Sequence, residues 1–206
     1  MKQRHFIDSH KLATGLFVLA LMAMFGRWTS ATLWVYLGLH GTYGLLWALK
    51  SRIFGDRQWE QPTGLRYGLV IWGALSLYWI SPVLIAWLDV DAPASLLGLS
   101  VALNVAGTML HFSADMQKHV ALGLQPGVLI EDGLFARVRH INYLGEGMIY
   151  LGFALLAMHW LPLLVLAAFI GLLWIPNMGR IARSLSRYPA YAAYRSRTKA
   201  FLPFVL

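Results

Sequence analysis

Six stretches of this sequence are apolar enough to cross a lipid bilayer, and they limit what the chain can fold into. A helix needs about 20 residues to span the hydrocarbon core. The predicted spans lie near residues 12–27, 30–49, 67–88, 96–114, 145–159 and 161–178. The sequence therefore predicts an all-α, polytopic integral membrane helix bundle with about six transmembrane helices.

Shorter sequence features predict how the spans begin, how they are connected and where the last helix breaks. No small-x-small cleavage site follows Phe25, so we expect the first stretch to be a retained span and not a cleaved signal peptide. The fifth and sixth stretches are separated only by "HWLP", which predicts a tight antiparallel hairpin. The turn residues Pro126-Gly127 and Asp132-Gly133 predict a loop before the fifth span, and Pro189 predicts a helix break near Arg187 followed by a short helix.

The composition agrees with one membrane-embedded bundle without a separate soluble domain. Hydrophobic residues make up 58% of the 206 residues and charged residues 13%, against roughly a quarter charged in ordinary soluble domains. The absence of cysteine excludes disulfides, thiolate nucleophiles and cysteine-ligated zinc.

The positions of the basic residues predict the orientation of the bundle. If there are six spans, every Lys and Arg except Arg27 falls on one side, which places both termini in the cytoplasm. Topology and contact with anionic lipid then account for most of the net charge of +8, so we expect no nucleic-acid partner. We expect a multi-pass protein of a bacterial inner membrane or the endoplasmic reticulum, with its active site facing the cytoplasm.

Polar residues recur at helical spacing within three predicted spans and predict a shared polar chamber open to the cytoplasm. They are Tyr36, His40, Tyr43 and Trp47 in the second span, Asn104, Thr108, His111 and Asp115 in the fourth, and Asn142, Glu146 and Tyr150 in the fifth. A single polar residue such as His40 is more often a packing residue with one hydrogen-bond partner. The convergence of carboxylates, histidines and arginines near one membrane face predicts a functional site there.

Several kinds of site are excluded by missing motifs. The chain has no G-x-S-x-G nucleophile elbow, no P-loop and no Rossmann fingerprint. His111 and Asp115 offer two metal ligands one turn apart, but no H-E-x-x-H motif or second pair completes a set, so we expect no metal.

Three segments in order resemble the membrane reductases with a steroid 5α-reductase-type C-terminal domain. They are "HFSADMQK" at 111–118, "DGLFARVRHINYLGEGMIYLGFAL" at 132–155 and "RYPAYAAYRSRTKAFLPF" at 187–204. The resemblance covers roughly residues 100–206. It implies a membrane oxidoreductase that uses NADPH to reduce the carbon–carbon double bond of a lipophilic, steroid- or isoprenoid-like enone.

The resemblance also implies where the cofactor and substrate bind. Residues 96–206 would form the cofactor-binding transmembrane half, and residues 1–95 the substrate side, in contact with membrane lipid. The implied cofactor residues are His111, Asp115, Lys118, Arg137, Arg139, His140, Asn142, Tyr143, Glu146, Tyr188, Tyr194 and Arg195. Such reductases polarise the substrate carbonyl with a Tyr and a Glu from earlier spans, for which Tyr43, Glu60 and Tyr78 are candidates by position only.

Two other functions stay open. Arg139-His140-Ile141-Asn142-Tyr143-Leu144-Gly145 is also similar to the Arg-His-Pro-x-Tyr-x-Gly motif of isoprenylcysteine and phospholipid methyltransferases, which use S-adenosylmethionine. Those enzymes carry an acidic pair after the last span, whereas this tail is basic and suits a cationic sulfonium poorly. The third possibility is a non-catalytic lipid-binding or assembly protein that kept the same scaffold.

Overall fold

The computed structural model describes residues 1–202, and their regular structure is helical. Within that range, nine α-helices are joined by turns and short 3-10 or π-helical segments. They are α1 (Gln3–Met24), α2 (Ala31–Phe54), α3 (Leu65–Ser76), α4 (Ile80–Trp87), α5 (Ala94–Leu124), α6 (Ile141–Leu156), α7 (Trp160–Phe169), α8 (Ile175–Leu185) and α9 (Tyr191–Arg197). The predicted all-α class is confirmed. Pro203 and Phe204, at the end of the predicted closing segment, lie outside the described residues.

Four helical segments within residues 1–202 are long and apolar enough to cross a membrane. They are Gln3–Met24, Leu65–Trp87, Ala94–Leu124 and Trp160–Leu185, and each overlaps a predicted span. The other two predicted spans are also helices, but α2 is not among the four and α6 has only 16 residues. This supports a helical membrane protein with four candidate spans, a coarser result than the six predicted.

Two helices extend beyond the bounds predicted from hydropathy. Helix α1 begins at Gln3 and not near residue 12, and α5 continues to Leu124 and not to residue 114. Charged residues do not end a helix when they find partners or solvent. In α1, for example, the Asp8 carboxylate accepts hydrogen bonds from Trp47 Nε1 at 3.1 Å and Ser51 Oγ at 2.9 Å.

Prolines mark irregular turns inside two of the candidate spans. A 3-10 turn at Leu77–Trp79 separates α3 from α4. The ring of Pro82 crowds the carbonyl four residues earlier in the chain, which is that of Tyr78 in this turn. A π-helical turn at Ile170–Trp174 precedes Pro176, which has no N–H to continue the α-helical ladder. The predicted break near Arg187 and the short helix after it are both confirmed, because α8 ends at Leu185 and α9 begins at Tyr191.

The chain forms two compact units. Unit 1 contains Met1–Asn104 and Tyr150–Leu166, and unit 2 contains Val105–Ile149 and Ala167–Leu206, described up to residue 202. The turn between α6 and α7 and its flanking residues group with the N-terminal helices. The predicted boundary between residues 95 and 96 divides the chain by function and stays a prediction. The functional labels of the two predicted halves stay predictions.

Close packing of α1 against α2 organises unit 1. A Cβ added to Gly44 of α2 would collide with the Lys11 carbonyl of α1, so only glycine allows this approach. Aromatic residues fill the space beside it: the His40 ring stacks on Phe153 with ring centroids 4.1 Å apart, and Tyr36 lies against both.

In unit 2, glycines bring α5 and α6 together. A Cβ on Gly145 would lie 2.6 Å from the Gly107 carbonyl oxygen and 2.6 Å from the His111 backbone nitrogen. Small residues that allow such backbone approach are typical of helix contacts in membranes. This contact places the polar residues of α5 next to the first turn of α6.

Candidate functional site

A buried polar cluster lies between α5 and α6 in unit 2. The His111 Nδ1 atom lies 2.9 Å from the Asn142 carbonyl oxygen, and the Asn142 amide donates to Asp115 Oδ1 at 3.3 Å. His111 Nε2 lies 3.6 Å from Asp115 Oδ2. Because a carbonyl oxygen only accepts, His111 carries a proton on Nδ1. Three of the predicted cofactor residues are therefore brought together and orient one another.

A C-terminal segment, here called the strap (residues 198–200), is bound to the segment before α6. The backbone nitrogens of Arg139 and His140 donate to the carbonyls of Lys199 and Ala200 at 2.9 and 3.0 Å. The Arg139 guanidinium donates to the Thr198 carbonyl at 2.5 Å and the Thr198 hydroxyl at 2.9 Å. Arg139 therefore holds the chain itself, a structural role beyond the cofactor contact that the resemblance implies.

Tyr194 of α9 and His140, the residue before α6, are both buried. The Tyr194 hydroxyl donates to the Phe135 carbonyl at 2.8 Å, and burial raises the pKa of Tyr194 to about 12. Burial, together with the neighbouring Arg139 charge, lowers the pKa of His140 to about 4. His140 is therefore neutral at pH 7 and does not add a positive charge for a phosphate group.

Tyr143 is tied to a residue that the sequence interpretation missed. The side-chain amide of Asn177 in α8 donates to the Tyr143 hydroxyl, and the Asn177 oxygen accepts from Arg180 at 2.7 Å. The Tyr143 ring also lies 5.6 Å from the Trp174 ring, centroid to centroid. Asn177 follows Pro176 at the start of α8. The only feature of the sequence that could have pointed to Asn177 is that it is an uncharged amide in an otherwise basic segment.

An open depression lies on the surface of unit 2, where α8 is followed by α9. Its volume is about 610 Å³, within the range of roughly 300–1,000 Å³ typical of small-molecule sites. It is lined by Ser186, Tyr188, Pro189, Tyr191, Ala192, Arg195 and Ser196. Two of the predicted cofactor residues, Tyr188 and Arg195, are among them. The nearby Arg187 guanidinium donates to the Tyr188 hydroxyl at 3.1 Å.

The remaining predicted cofactor residues do not join one cluster. Arg137 is exposed, and within residues 1–202 its side chain forms no hydrogen bond or ion pair. Glu146 is half-buried and likewise has no hydrogen bond or ion pair in the part of the chain that the structure describes. Lys118 is half-buried on α5, one turn beyond the buried cluster.

Of the predicted catalytic residues, the structure brings two together in unit 1. Tyr43 and Tyr78 both contact Tyr150, with ring centroids 6.4 and 3.9 Å from it. Glu60 lies on a 3-10 turn and pairs with Lys2 at 2.6 Å and Arg4 at 2.7 Å. The hydrogen bond from Lys2 lowers the pKa of Glu60. The contacts of Glu60 are thus with basic residues near the N-terminus and not with either tyrosine.

Lys11 is the residue that sequence reasoning interpreted least correctly. It was counted as a surface charge that sets topology, yet only 3% of it is exposed. Its ammonium donates to the Tyr150 hydroxyl and lies 4.7 to 4.9 Å from the ring centroids of Tyr43, Trp47 and Tyr150. The signal in the sequence is an ionisable residue within a span. This signal is missed when the span is predicted to begin near residue 12, because Lys11 then lies outside it, whereas α1 begins at Gln3.

The helical architecture and the four helices of residues 1–202 that are long and apolar enough to cross a membrane support a helical membrane protein. Residues 13–198 match the family described as "Protein of unknown function (DUF1295)", and the chain belongs to this family. The family is associated with steroid 5α-reductase-like membrane proteins, but only as an uncharacterised domain. A search of curated proteins found no match.

Proposed function

We propose that this protein is a membrane oxidoreductase that uses NADPH to reduce the carbon–carbon double bond of a lipophilic enone. The observation that carries the proposal is the depression in unit 2, which combines Arg195 with two tyrosine rings and hydroxyl groups. Guanidinium groups bind phosphates through paired hydrogen bonds, and aromatic rings stack on bases. When bound, NADPH supplies a hydride.

The residues of unit 2 fit such a cofactor. Arg195 would bind a phosphate, and the half-buried Tyr188 would offer a ring face to the adenine. The half-buried Glu146 would accept hydrogen bonds from a ribose hydroxyl. Arg137 is the other exposed guanidinium of the predicted set. Arg139, His140 and Tyr194 would act indirectly by holding the strap.

The proposal includes a six-span topology with both termini in the cytoplasm. It counts α2 and α6 as spans in addition to the four candidates. It is supported by the distribution of basic residues, in which Arg27 alone falls on the opposite side. Arg27 pairs with Asp89 at 2.5 Å, as expected if both lie on that side. The lipophilic substrate would enter from the membrane.

The test is thermal unfolding of the detergent-purified protein with NADPH, NADP⁺, S-adenosylmethionine or S-adenosylhomocysteine. A ligand at a hundred times its Kd adds about 2.7 kcal/mol to the free energy of unfolding. We expect stabilisation by NADPH and NADP⁺, lost in Arg195→Ala and kept in the matched control Arg66→Ala, an exposed arginine of unit 1. Arg139→Ala is a poor probe because it also releases Thr198.

The other outcomes point to the two alternatives. Stabilisation by the adenosyl compounds and not by NADPH would contradict the proposal in favour of a methyltransferase. No stabilisation by any of the four would contradict it in favour of the non-catalytic lipid-binding or assembly protein.

A further inference from the structure

Two neighbouring arginines are exposed on one face of α8 in unit 2, and no part of the proposed cofactor site uses them. Arg180 and Arg183 lie three residues apart, which places their side chains next to each other on the helix surface. The apolar residues Ile181, Ala182 and Leu185 of the same helix are half-buried. Helix α8 is therefore amphipathic, and its basic face is exposed.

No carboxylate balances this pair of charges. Within residues 1–202, the Arg180 guanidinium donates to the side-chain oxygen of Asn177 at 2.7 Å, and the Arg183 guanidinium has no hydrogen bond or ion pair. No Asp or Glu follows Glu146 in the whole sequence. Like charges one turn apart on a helix repel each other, so an anion bound between the two arginines would stabilise them.

Other arginines of residues 1–202 already have an acidic partner or lie apart from one another. The ion pairs are Arg4–Glu60, Arg27–Asp89 and Arg197–Glu131. Arg52 and Arg66 are exposed and have no acidic partner in the same range, but they lie in different helices, α2 and α3. These two arginines are therefore a matched comparison for the pair on α8.

The pair on α8 lies at the level where lipid phosphates are expected beside the candidate span Trp160–Leu185. Leu172, Leu173 and Ile175 are exposed, so the preceding part of this span presents apolar side chains outwards. Arg180 follows five residues after Ile175, which is about 7.5 Å along a helix axis. The headgroup region on each side of the hydrocarbon core is roughly 5–8 Å thick, so long basic side chains at this position reach the phosphates.

We propose that Arg180 and Arg183 bind the phosphate of one anionic phospholipid, whose acyl chains lie along the exposed apolar side chains of the same span. Guanidinium groups bind phosphate oxygens through paired hydrogen bonds. A lipid with a net negative charge also neutralises the excess positive charge, which a zwitterionic lipid does not. The inference goes beyond the general contact of basic residues with anionic lipid, because this site takes one lipid and selects its headgroup. It depends on the membrane span and not on NADPH.

The test measures lipid selectivity by native mass spectrometry of the full-length protein in maltoside micelles. The probes are dioleoyl-phosphatidylglycerol and dioleoyl-phosphatidylcholine, which have the same acyl chains and differ in headgroup charge. We expect the wild type to bind one phosphatidylglycerol about 10- to 30-fold more tightly than phosphatidylcholine, the effect of two arginines at a lipid surface. Arg180→Gln/Arg183→Gln should bind the two lipids equally.

Matched variants separate a defined site from a general effect of net charge. Arg52→Gln/Arg66→Gln removes two exposed arginines from unit 1 and should keep the preference. Arg180→Lys/Arg183→Lys keeps the charge but not the paired hydrogen bonds, so it should keep part of the preference. Equal binding of the two lipids by the wild type, or an equal loss of preference in both glutamine variants, would overturn the inference. Displacement of phosphatidylglycerol by NADP⁺ or inorganic phosphate would also overturn it, since the arginines would then bind a soluble phosphate. The proposed function is decided separately, by the nucleotide experiment.

Discussion

The close contact between α5 and α6 allows a quantitative prediction about Gly145. In Gly145→Ala, the new Cβ would lie 2.6 Å from the Gly107 carbonyl oxygen and from the His111 nitrogen. Contacts of this kind need at least 3.0 Å, so the helices must separate by about 0.4 Å or more. Both contacting atoms belong to the backbone, so no change of rotamer relieves the collision.

The cost follows from two opposing effects. Overpacking a tight contact costs about 1–3 kcal/mol, and a backbone collision belongs at the upper end. Replacing a helical glycine by alanine returns about 1 kcal/mol. We therefore expect Gly145→Ala to lower the free energy of unfolding by about 2 kcal/mol and the Tm by about 4–8 °C.

The assay is thermal unfolding of the purified variants in one detergent. The matched control is Gly98→Ala in α5, where a Cβ meets no atom within 4 Å and should raise stability by about 1 kcal/mol. If Gly145→Ala were as stable as Gly98→Ala, the close contact of the two helices, and with it the buried His111 cluster, would be refuted.

Three further predictions concern the connection before α6 and the strap. The pKa of His140 is about 4 in the folded protein and about 6.5 in the unfolded chain, so the unfolded state binds more protons between these values. The free energy of unfolding should therefore fall by up to about 3 kcal/mol as the pH drops from about 6.5 to about 4. In His140→Gln this part of the curve of Tm against pH should be flatter. A curve that is the same in the variant and the wild type would contradict the burial of His140. Arg139→Ala should lower the free energy of unfolding by about 3 kcal/mol because it removes charge-assisted hydrogen bonds, and Arg139→Lys should lower it less. In Arg139→Ala, backbone hydrogen exchange near Thr198 should also be faster than in the wild type. Equal exchange rates in the wild type and both variants would contradict the binding of the strap by Arg139. Tyr194→Phe should cost about 1–3 kcal/mol in chemical unfolding because it leaves the buried Phe135 carbonyl without its donor, and a neutral result would exclude this bond.

The helices could be predicted from the sequence, but their ends could not. Each of the six apolar stretches in the sequence contains a helix in the structure, because the length of an apolar stretch can be read from the local sequence. The predicted spans begin near residue 12 and end near residue 114, next to Lys11 and Asp115, whereas the helices begin at Gln3 and end at Leu124. The partners of Asp8 lie on α2, and no local pattern in α1 shows them.

In the candidate site, too, some contacts could be predicted from the sequence and others could not. Helical spacing grouped His111 with Asp115 in one span and placed Asn142 on the polar face of another, and the structure brings the three side chains together. The resemblance implies that Arg139 lines the cofactor pocket, which stays a prediction; the structure adds that its guanidinium binds the strap, 59 residues later in the chain. Lys11 was missed because its contact with Tyr150 joins segments 139 residues apart. Side chains at helical spacing can be grouped from the sequence, whereas long-range pairs depend on the fold.

The most direct test of the central claim is NADPH binding to the purified protein, measured by energy transfer from tryptophan to the nicotinamide. We predict saturable binding that NADP⁺ competes away. It should be weakened about tenfold or more in Arg195→Ala and unchanged in Arg66→Ala, because only Arg195 lines the depression. Absence of saturable binding, or equal affinity in Arg195→Ala and Arg66→Ala, would contradict a nucleotide site at this depression.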